Sequence, residues 1–233
     1  MSSTREVQPF NGGLKNKVVA SKGIPRPLEF VLSALALVVL SPVLLCCAIL
    51  VLLSSQGPVV FRQLRVGRNG KTFRMFKFRT MRVTACGPLI TAATDNRITP
   101  VGRFLRKWKL DELPEIYNVL KGDMSFVGPR PEVPELVDLS NPAWQVVLSH
   151  RPGITDPVTL TLRDEEAVLA MAEDKELYYT QTIQPYKLRG YLKYLEGKSF
   201  RRDCGLILRT LRVIVTPRNE GRLRELADIS TSE

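Results

Sequence analysis

Histidine is nearly absent from this 233-residue chain, and cysteine is scarce. His150 is the only histidine, so a zinc site or a Ser-His-Asp triad would have to be built around that one residue. The four cysteines comprise an adjacent pair in an apolar run and two separate residues, without the spacing of a metal site or of a disulfide framework. The sequence therefore disfavours zinc enzymes, serine hydrolases and disulfide-stapled secreted domains, and it fits a reducing compartment.

Acidic residues are almost missing from one quarter of the chain. Between residues 54 and 110, Asp95 is the only acid, against thirteen lysines and arginines, and the whole chain carries a formal net charge of +11. Such a charge predicts an anionic partner, which could be nucleic acid, anionic lipid or a phosphorylated small molecule. The basic segment directly follows an apolar run and contains no recognisable DNA- or RNA-binding module, which argues against nucleic acid.

The apolar run covers residues 30 to 53, which are 24 residues without a charge. A helix of that length could span a bilayer about 30 Å thick. Pro42, preceded by Ser41, lies near the middle, where proline lacks the N–H for its helical hydrogen bond. Because cationic residues flank the run on both sides, we expect a re-entrant helix-break-helix hairpin with both ends in the cytoplasm. A kinked membrane span and a buried helix of a soluble protein are the alternatives.

The rest of the chain is predicted to form one small cytosolic globular domain, in an α/β fold that is mostly α. The expected divisions are a flexible arm at 1–22, the re-entrant membrane helix at 23–54, a catalytic domain at 55–216 and a polar tail at 217–233. Within the domain, VVFRQLRVG and TFRMFKFRTM on either side of Asn69-Gly70 predict a short β-hairpin.

Downstream of this hairpin the patterns predict mainly helices. A short amphipathic helix is expected at 102–109, and a second from 111 to about 122 with Pro114 in its first turn. The prolines of SFVGPRPEVPEL predict a rigid loop outside any helix or sheet ladder. Further expectations are a helix within 132–149, a turn at RPGITDP, a strand at VTLTLR, and basic amphipathic surface helices over 164–194 and 199–215.

Asp111 and Glu112 follow the basic segment and lie at a predicted helix start. Both carboxylates could reach a metal ion or a phosphate near the end of that helix. The structural alternative is that Asp111 caps the helix and that Glu112 is a first-turn acid favoured by the helix dipole.

Four cations are candidates to neutralise a diphosphate: Lys77, Arg79, Arg106 and Arg130. Arginine is suited to this role because its guanidinium group forms bidentate phosphate contacts. The alternative is that these side chains are solvated cations attracted to anionic lipid.

Three sequence blocks resemble one known family. GPVVFRQLRVGRNGKTFRMFKFRTM, KLDELPEIYNVLKGDMSFVGPRP and RPGIT are similar to the bacterial sugar transferases, the monotopic phosphoglycosyl transferases, and the resemblance covers about residues 26–210. The order of KFRTM, LDELP and GDMSFVGPRP is highly specific. The resemblance implies an enzyme that moves a sugar-1-phosphate from a UDP-sugar to undecaprenyl phosphate, with release of UMP. Its expected place is the cytosolic face of the bacterial cytoplasmic membrane, at the first membrane step of glycoconjugate assembly.

The resemblance also implies roles for individual residues. Asp111 would be the nucleophile that attacks the β-phosphorus in a ping-pong reaction, and Glu112 would assist metal binding or proton handling, with Mg²⁺ bridging to the diphosphate. The other implied roles are phosphate binding by Lys77, Arg79, Arg106 and Arg130, a nucleotide pocket shaped by Pro129, Arg130 and Pro131, and a helix break at Ser41 and Pro42. The implied partners are a UDP-sugar, undecaprenyl phosphate and a lipid membrane, without nucleic acid, and a homodimer is left open.

Two stretches depart from the usual pattern of the family. Pro25-Arg26 and Glu29 stand where the family often has a basic pair and an aspartate, and Trp108-Lys109 replaces a common Thr-Ser before the acidic pair. The competing hypothesis is a membrane-surface scaffold that uses the basic face without turnover. The intact acidic pair and its cations argue against that hypothesis.

Overall fold

The computed structural model describes residues 23–83, 90–91 and 95–216, and within them the chain is mostly helical with two small sheets. This agrees with the predicted fold class. The predicted arm and tail lie outside the described residues. The helices are α1 (Arg26–Val39), α2 (Ser41–Ser54), α3 (Pro100–Lys107), α4 (Glu115–Lys121), α5 (Pro142–Leu148), α6 (Pro157–Thr161), α7 (Glu165–Met171), α8 (Lys175–Tyr178), α9 (Gln184–Glu196) and α10 (Phe200–Val215). The strands are β1 (Val60–Val66), β2 (Thr72–Phe78), β3 (Ser125–Val127) and β4 (Gly153–Thr155).

Helices α1 and α2 form a bent pair. They meet at Leu40, directly before Ser41 and Pro42, with a bend of 60°. The Ser41 hydroxyl donates to the Val38 carbonyl oxygen at 2.7 Å, which is the carbonyl that the missing N–H of Pro42 leaves without its helical donor. Among the described helices none is long and apolar enough by itself to cross a membrane, whereas this bent pair passes the same test of length and composition.

The bent pair has an inverted pattern of burial. Its buried side chains are Glu29 and Ser33 on α1, and Cys47 and Val51 on α2. Large apolar side chains instead face outward, among them Phe30, Val31, Leu35, Val38, Val39, Leu45, Leu52 and Leu53. Because a helix of a soluble core buries its apolar side, this pattern contradicts the alternative of a buried soluble helix.

The first turn of α1 is fixed to the globular domain by Arg26 and Glu29. The Arg26 guanidinium donates to the carbonyl oxygens of Val119 and Leu120 at 2.6 and 2.7 Å, which satisfies the end of α4. The buried Glu29 carboxylate accepts a hydrogen bond from the Ser125 hydroxyl. Arg26 and Glu29, two of the residues at which the resemblance is weak, thus anchor the bent pair to α4 and β3.

The far end of the pair is fixed by Arg79. Its terminal guanidinium nitrogens donate to the carbonyl oxygens of Val51, Ser55 and Pro58. The last carbonyls of a helix lack helical partners, so this side chain supplies the donors that α2 and the following turn need. Arg79 therefore has a structural role that the sequence did not predict.

The predicted β-hairpin is confirmed. Strands β1 and β2 pair in antiparallel register from Val60 with Phe78 to Val66 with Thr72. The turn lies at Arg68–Gly70, where Asn69 has a φ of 58°, a left-handed conformation that asparagine tolerates better than most residues.

A parallel strand pair replaces two predicted irregular segments. Strand β3, inside the segment predicted as a loop without a sheet ladder, pairs with β4, inside the predicted turn RPGITDP. The loop prediction was wrong here because the prolines begin only after Val127. The two segments come so close that a Cβ on Gly153, the first residue of β4, would lie 2.1 Å from the backbone nitrogen of Gly128, which follows β3.

The predicted strand VTLTLR is wrong, because most of it forms helix α6. Asp156 caps this helix by accepting from the backbone nitrogens of Val158 and Thr159 at 2.7 and 3.0 Å, and Pro157 occupies its first turn. A capping aspartate followed by proline is a helix-start signal, and it outweighs the β-branched residues that follow. The helix predicted within 132–149 is also shorter than expected, since only a 3₁₀ turn at Pro134–Leu136 and α5 form there.

The main hydrophobic core lies between α5, α6, α7, α9 and α10. Tyr191, Tyr194 and Leu195 of α9 are almost fully buried in it, together with Trp144 of α5. The prediction of basic amphipathic surface helices over 164–194 is wrong for Lys187 of α9, which is buried at 7% exposure, whereas Arg189 and Lys193 of the same helix are exposed. Helix α10, by contrast, exposes Leu208 and Leu211, as an amphipathic surface helix does.

Asn118 of α4 joins this helix to the β-hairpin. Its side chain is fully buried, its Oδ1 accepts from the Phe76 backbone nitrogen at 3.0 Å, and its Nδ2 donates to the Arg74 carbonyl at 2.8 Å. These bonds fix the distance between β2, which carries Lys77, and the turn that carries Asp111.

Replacing Asn118 by alanine should lower the free energy of unfolding by about 2–4 kcal/mol, because the fully buried amide is lost and the partly buried Phe76 N–H and Arg74 carbonyl lose their partners. Denaturant unfolding of the detergent-solubilised protein measures the change. The matched control is Asn141→Ala, which removes only the cap that accepts from the Ala143 nitrogen of α5 at 2.9 Å and should cost about 1 kcal/mol. Equal losses in both variants would contradict the joining role of Asn118.

Candidate active site

The β-hairpin, the turn with the acidic pair and the proline-rich loop enclose a cavity of about 650 Å³. Seven of the predicted site residues line it: Lys77, Arg79, Arg106, Asp111, Glu112, Arg130 and Pro131. Pro129 is absent from the lining residues that the structure describes, and its carbonyl oxygen accepts from the Gly153 nitrogen at 3.0 Å beside the parallel strand pair. The fold thus brings four separate segments of the sequence to one place.

A 3₁₀ turn at Leu110–Glu112 carries the acidic pair. It follows Lys109, whose φ of 54° places this lysine in the left-handed region and reverses the chain after α3. Asp111 makes no capping hydrogen bond, and α4 begins only at Glu115. The structural alternative that Asp111 serves as a helix cap is therefore wrong.

The Asp111 carboxylate is buried without full hydrogen bonding. Its side chain belongs to a residue with 7% exposure, and its Oδ1 has no hydrogen-bond partner among the described residues. Burial, and then the neighbouring Glu112, raises the pKa of Asp111 above its usual value, although Lys77 and Lys109 oppose this shift. The result is a basic carboxylate with a free oxygen, which is suited to act as a nucleophile or as a metal ligand.

Glu112 has the opposite environment. Burial opposes its ionisation, but Arg130 and then Lys77 outweigh that effect and hold the pKa of Glu112 well below its usual value. The Lys77 ammonium lies 3.1 Å from Glu112 Oε1, and the Arg130 guanidinium donates to the same oxygen. The pKa values of two adjacent acids are thus shifted in opposite directions, because the cations bind Glu112 directly.

Glu115 is a third acid of the site that the sequence analysis missed. It is fully buried, and its Oε1 lies 3.3 Å from Lys77 Nζ and 3.7 Å from the Arg130 guanidinium. Burial raises the pKa of Glu115 although both cations oppose it. Its spacing of three residues from Glu112 was the available signal, because residues so spaced share one helix face.

Arg106 reaches the cavity from α3. Its Nε donates to the Thr80 hydroxyl at 2.9 Å, and one terminal nitrogen donates to Glu166 Oε1 at 2.9 Å. Helix α3 lies close to this segment because residue 102 is glycine, where a Cβ would sit 2.0 Å from the Thr80 carbonyl oxygen. The Glu166 side chain is 45% exposed, so an anion could replace it as a partner of Arg106.

Phosphate binding by Arg79 remains a prediction. The contacts of this side chain do not favour it. Both terminal nitrogens of its guanidinium are used by carbonyl oxygens at the end of α2. Lys77, Arg106 and Arg130, by contrast, all direct their cationic groups to carboxylates at the cavity wall, where a phosphate would find them.

A second polar group lines the same cavity and was not predicted. We call it the Lys187 cluster, and it consists of Arg65, Glu132, Glu165, Tyr179 and Lys187. Lys187 Nζ donates to Glu165 Oε1 at 2.8 Å and to the Tyr179 hydroxyl at 3.1 Å, and the Tyr179 hydroxyl donates to Glu132. Burial alone would lower the pKa of Lys187, but the negative charges of Glu165 and Glu132 have the larger effect and raise this pKa above its usual value. No local pattern could have revealed this cluster, since its members come from five separate places in the sequence.

Sequence comparison decides the family. The profile described as bacterial sugar transferase matches residues 20–217. This chain belongs to the bacterial sugar transferase family. The match covers all the site residues described above, so the resemblance of the three sequence blocks is confirmed.

Several curated proteins are similar to this family member. The UDP-N-acetylgalactosamine-undecaprenyl-phosphate N-acetylgalactosaminephosphotransferase of Aeromonas hydrophila is 34% identical over 198 residues, which are 83% of this chain and 44% of that protein. The UDP-glucose:undecaprenyl-phosphate glucose-1-phosphate transferase of Caulobacter vibrioides is 35% identical over 83% of this chain and 70% of its own length. The protein of the same name from Escherichia coli (strain K12) is 52% identical over 46% of this chain and 24% of its own length. The chain therefore spans less than half the length of two of these three relatives.

The different environments of the acidic pair predict opposite effects on stability. Asp111→Asn should increase the free energy of unfolding at neutral pH by about 1 kcal/mol, because it removes a buried charge without a full set of partners. The folded-state pKa of Asp111 is raised, so its charged form is a penalty that is absent in acid and grows as the pH rises. The gain should therefore vanish below about pH 4.

The matched variant is Glu112→Gln, which leaves Lys77 and Arg130 without their closest carboxylate and should destabilise by about 3 kcal/mol. Denaturant unfolding at pH 7 and in acid measures both changes. A loss of stability in Asp111→Asn as large as that in Glu112→Gln would refute the opposite pKa shifts of the two acids.

Proposed function

We propose that this protein is a phosphoglycosyl transferase that moves a sugar-1-phosphate from a UDP-sugar to undecaprenyl phosphate and releases UMP. The observation that carries the proposal is the buried Asp111 carboxylate, which keeps an oxygen without a hydrogen-bond partner among the described residues in a wall lined by cations. The printed names of the relatives describe UDP-sugar and undecaprenyl-phosphate substrates, and they support the same donor and acceptor for this chain.

Asp111 acts as the nucleophile in this proposal. Its carboxylate oxygen attacks the β-phosphorus of the donor, a new O–P bond forms, and the bond from that phosphorus to the bridging oxygen breaks, so UMP leaves. A phosphate oxygen of the polyprenol phosphate then attacks the same phosphorus, and the carboxylate leaves with the electrons of its O–P bond. The free oxygen and the raised pKa of Asp111 favour the first step, and the modest basicity of a carboxylate favours the second.

Lys77, Arg106 and Arg130 bind the diphosphate. Each already contacts a carboxylate of the site, at 3.1 Å for Lys77 with Glu112 and 2.9 Å for Arg106 with Glu166, so each is oriented before a substrate arrives. Charge-assisted hydrogen bonds to phosphate oxygens then stabilise the charge that moves to the leaving UMP. Glu112 keeps Lys77 and Arg130 in place and does not compete as a nucleophile, because its pKa is low and its Oε1 has two cationic partners.

Magnesium is the metal that the resemblance implies, and Asp111 and Glu112 are the residues that would hold it. Among the described residues no group of three or more His, Cys, Asp or Glu side chains could hold an ion by itself. Mg²⁺ in phosphate-transfer sites commonly takes only one or two carboxylates and completes its shell with phosphate oxygens and water. The free Oδ1 of Asp111 fits that donor set. When bound, the ion would neutralise charge on the diphosphate.

We also propose that α1 and α2 form a re-entrant hairpin at the cytosolic face of the bacterial cytoplasmic membrane. The 60° bend at Leu40, two residues before Pro42, and the outward apolar side chains support this arrangement. Each arm has 14 residues, or about 21 Å of helix, which is shorter than a hydrocarbon core of about 30 Å. The anchors at Arg26 and Arg79 join both arms to the same domain and thus favour a return to one side.

Release of UMP from a panel of UDP-sugars by the nanodisc-embedded protein tests the reaction. We expect release that requires Mg²⁺ and undecaprenyl phosphate for repeated turnover and that falls about 10³-fold or more in Asp111→Asn. Asp138→Asn, at a surface aspartate that bonds only to its neighbour Ser140 and its own turn, is the control and should retain activity. Full activity of Asp111→Asn would overturn the nucleophile, and no release with any sugar would favour a scaffold.

Topology is tested separately with protease-cleavable tags at the two ends of the chain. In intact spheroplasts we expect both tags to be protected, and in inverted membrane vesicles both should be cleaved. Cleavage of the N-terminal tag alone in intact spheroplasts would mean that the bent pair crosses the membrane.

A further inference from the structure

The Lys187 cluster is a part of the cavity wall that the proposed phosphate chemistry does not use. The charges of its ionised members cancel. Arg65 forms an ion pair with Glu132, and Lys187 forms ion pairs with Glu132 and Glu165. Glu132 and Lys187 are only 6% and 7% exposed. Apolar residues of similar size stabilise a core at least as well as buried ion pairs do, so stability alone does not account for four charges in a ligand-sized cavity.

The position of the cluster relative to the acidic pair follows from the proline-rich loop. Arg130 contacts Glu112 on one side, and Glu132, two residues later, belongs to the cluster. The backbone before a proline is extended, so the Cα atoms of these two residues are about 6–7 Å apart. Arg65 connects the two groups, because it donates to the Pro131 carbonyl at 3.0 Å and lies 3.8 Å from Glu132. A pyranose ring is about as wide as this separation.

We propose that the Lys187 cluster binds the hydroxyl groups of the sugar that is transferred, and thereby selects the donor. This inference rests on the proposed function. A sugar hydroxyl both donates and accepts, and the cluster offers carboxylates that accept beside an ammonium and a phenol that donate. A phosphate group, which only accepts, would be repelled by Glu132 and Glu165, whereas Lys77, Arg106 and Arg130 provide the cationic site that suits it.

The ribose of the nucleotide also carries hydroxyl groups, but its place in the donor is different. The transferred sugar is bonded through one oxygen to the phosphorus that Asp111 attacks. The ribose is separated from that phosphorus by the second phosphate group. The cluster lies about the width of one sugar ring away from the contact between Arg130 and Glu112. Its position therefore suits the transferred sugar better than the ribose.

The test compares conservative variants on several donors. Tyr179→Phe removes only the hydroxyl between Glu132 and Lys187, and Glu165→Gln removes one charge at a side chain that is 24% exposed. The matched controls are Tyr178→Phe, at the adjacent half-buried tyrosine, and Glu176→Gln, at an exposed glutamate. For each protein, kcat/KM for UMP release is measured with UDP-glucose, UDP-galactose, UDP-N-acetylglucosamine and UDP-N-acetylgalactosamine. Inhibition by UDP, which has the nucleotide but no sugar, is measured in parallel.

We expect both cluster variants to lower kcat/KM for the preferred donor by about tenfold or more and to reduce the preference among the four donors, while the inhibition constant of UDP changes less than about threefold. The controls should keep both the rate and the order of preference. An equal loss for all donors would mean that the cluster only supports the fold. A parallel weakening of UDP inhibition would mean that it binds the ribose. Either result overturns the proposal.

Failure of the proposed function is distinguishable from failure of this inference. If the wild-type protein released no UMP from any donor, the reaction would be refuted. Sugar binding by the cluster would then be tested by measuring the binding of each UDP-sugar. Thermal unfolding with each UDP-sugar and with UDP gives that comparison, since a ligand raises the unfolding temperature according to its affinity. The extra shift of the preferred UDP-sugar over UDP should disappear in Tyr179→Phe and in Glu165→Gln. Its persistence in both would overturn sugar binding by the cluster.

Discussion

The ion network of Lys77 and Arg130 with Glu112 and Glu115 is the constraint on which the site depends. It joins three segments that are distant in sequence, namely β2, the start of α4 and the proline-rich loop. Lys77 and Arg130 are both held by Glu112 and Glu115, and Oδ1 of the buried Asp111 carboxylate has no hydrogen-bond partner among the described residues. The unpaired oxygen of Asp111, on which its proposed role as nucleophile rests, is thus a consequence of what its neighbours bind.

The surrounding fold serves to hold this network in place. Asn118 fixes α4 to β2, the glycine at 102 lets α3 approach Thr80, and the parallel pair of β3 and β4 supports the loop that carries Arg130. The core under α9 and α10 supports the opposite wall of the cavity. Each of these supports is a buried contact, so the cations reach the cavity from rigid elements and their positions need little reorganisation.

Features set by local sequence could be predicted, and features set by long-range contact could not. The hairpin around Asn69-Gly70, the helix end at Gly122 and the mostly helical class follow from turn chemistry and periodicity. The acidic pair and its cations were found because short motifs carry them. Strand β3 was missed because three residues are too few to show the alternation of a strand, and because their partner strand lies 28 positions away in the sequence. The buried Lys187 was read as a surface cation, since nothing near it in the sequence reveals that Glu165 and Glu132 will meet it.

Lys77 and Arg79 lie two residues apart on one extended segment, and they serve different ends of the molecule. One contacts the carboxylates, and the other holds the carbonyl oxygens at the end of α2. Residues so spaced are only about 6–7 Å apart, with no flexible link between them. In the proposed membrane hairpin and the proposed transfer, the depth at which the helix pair rests would therefore set the height of the reacting phosphorus above the lipid. A polyprenol phosphate would need to rise only to that fixed level, and any change of lipid that shifts the depth of the hairpin would change the rate of transfer.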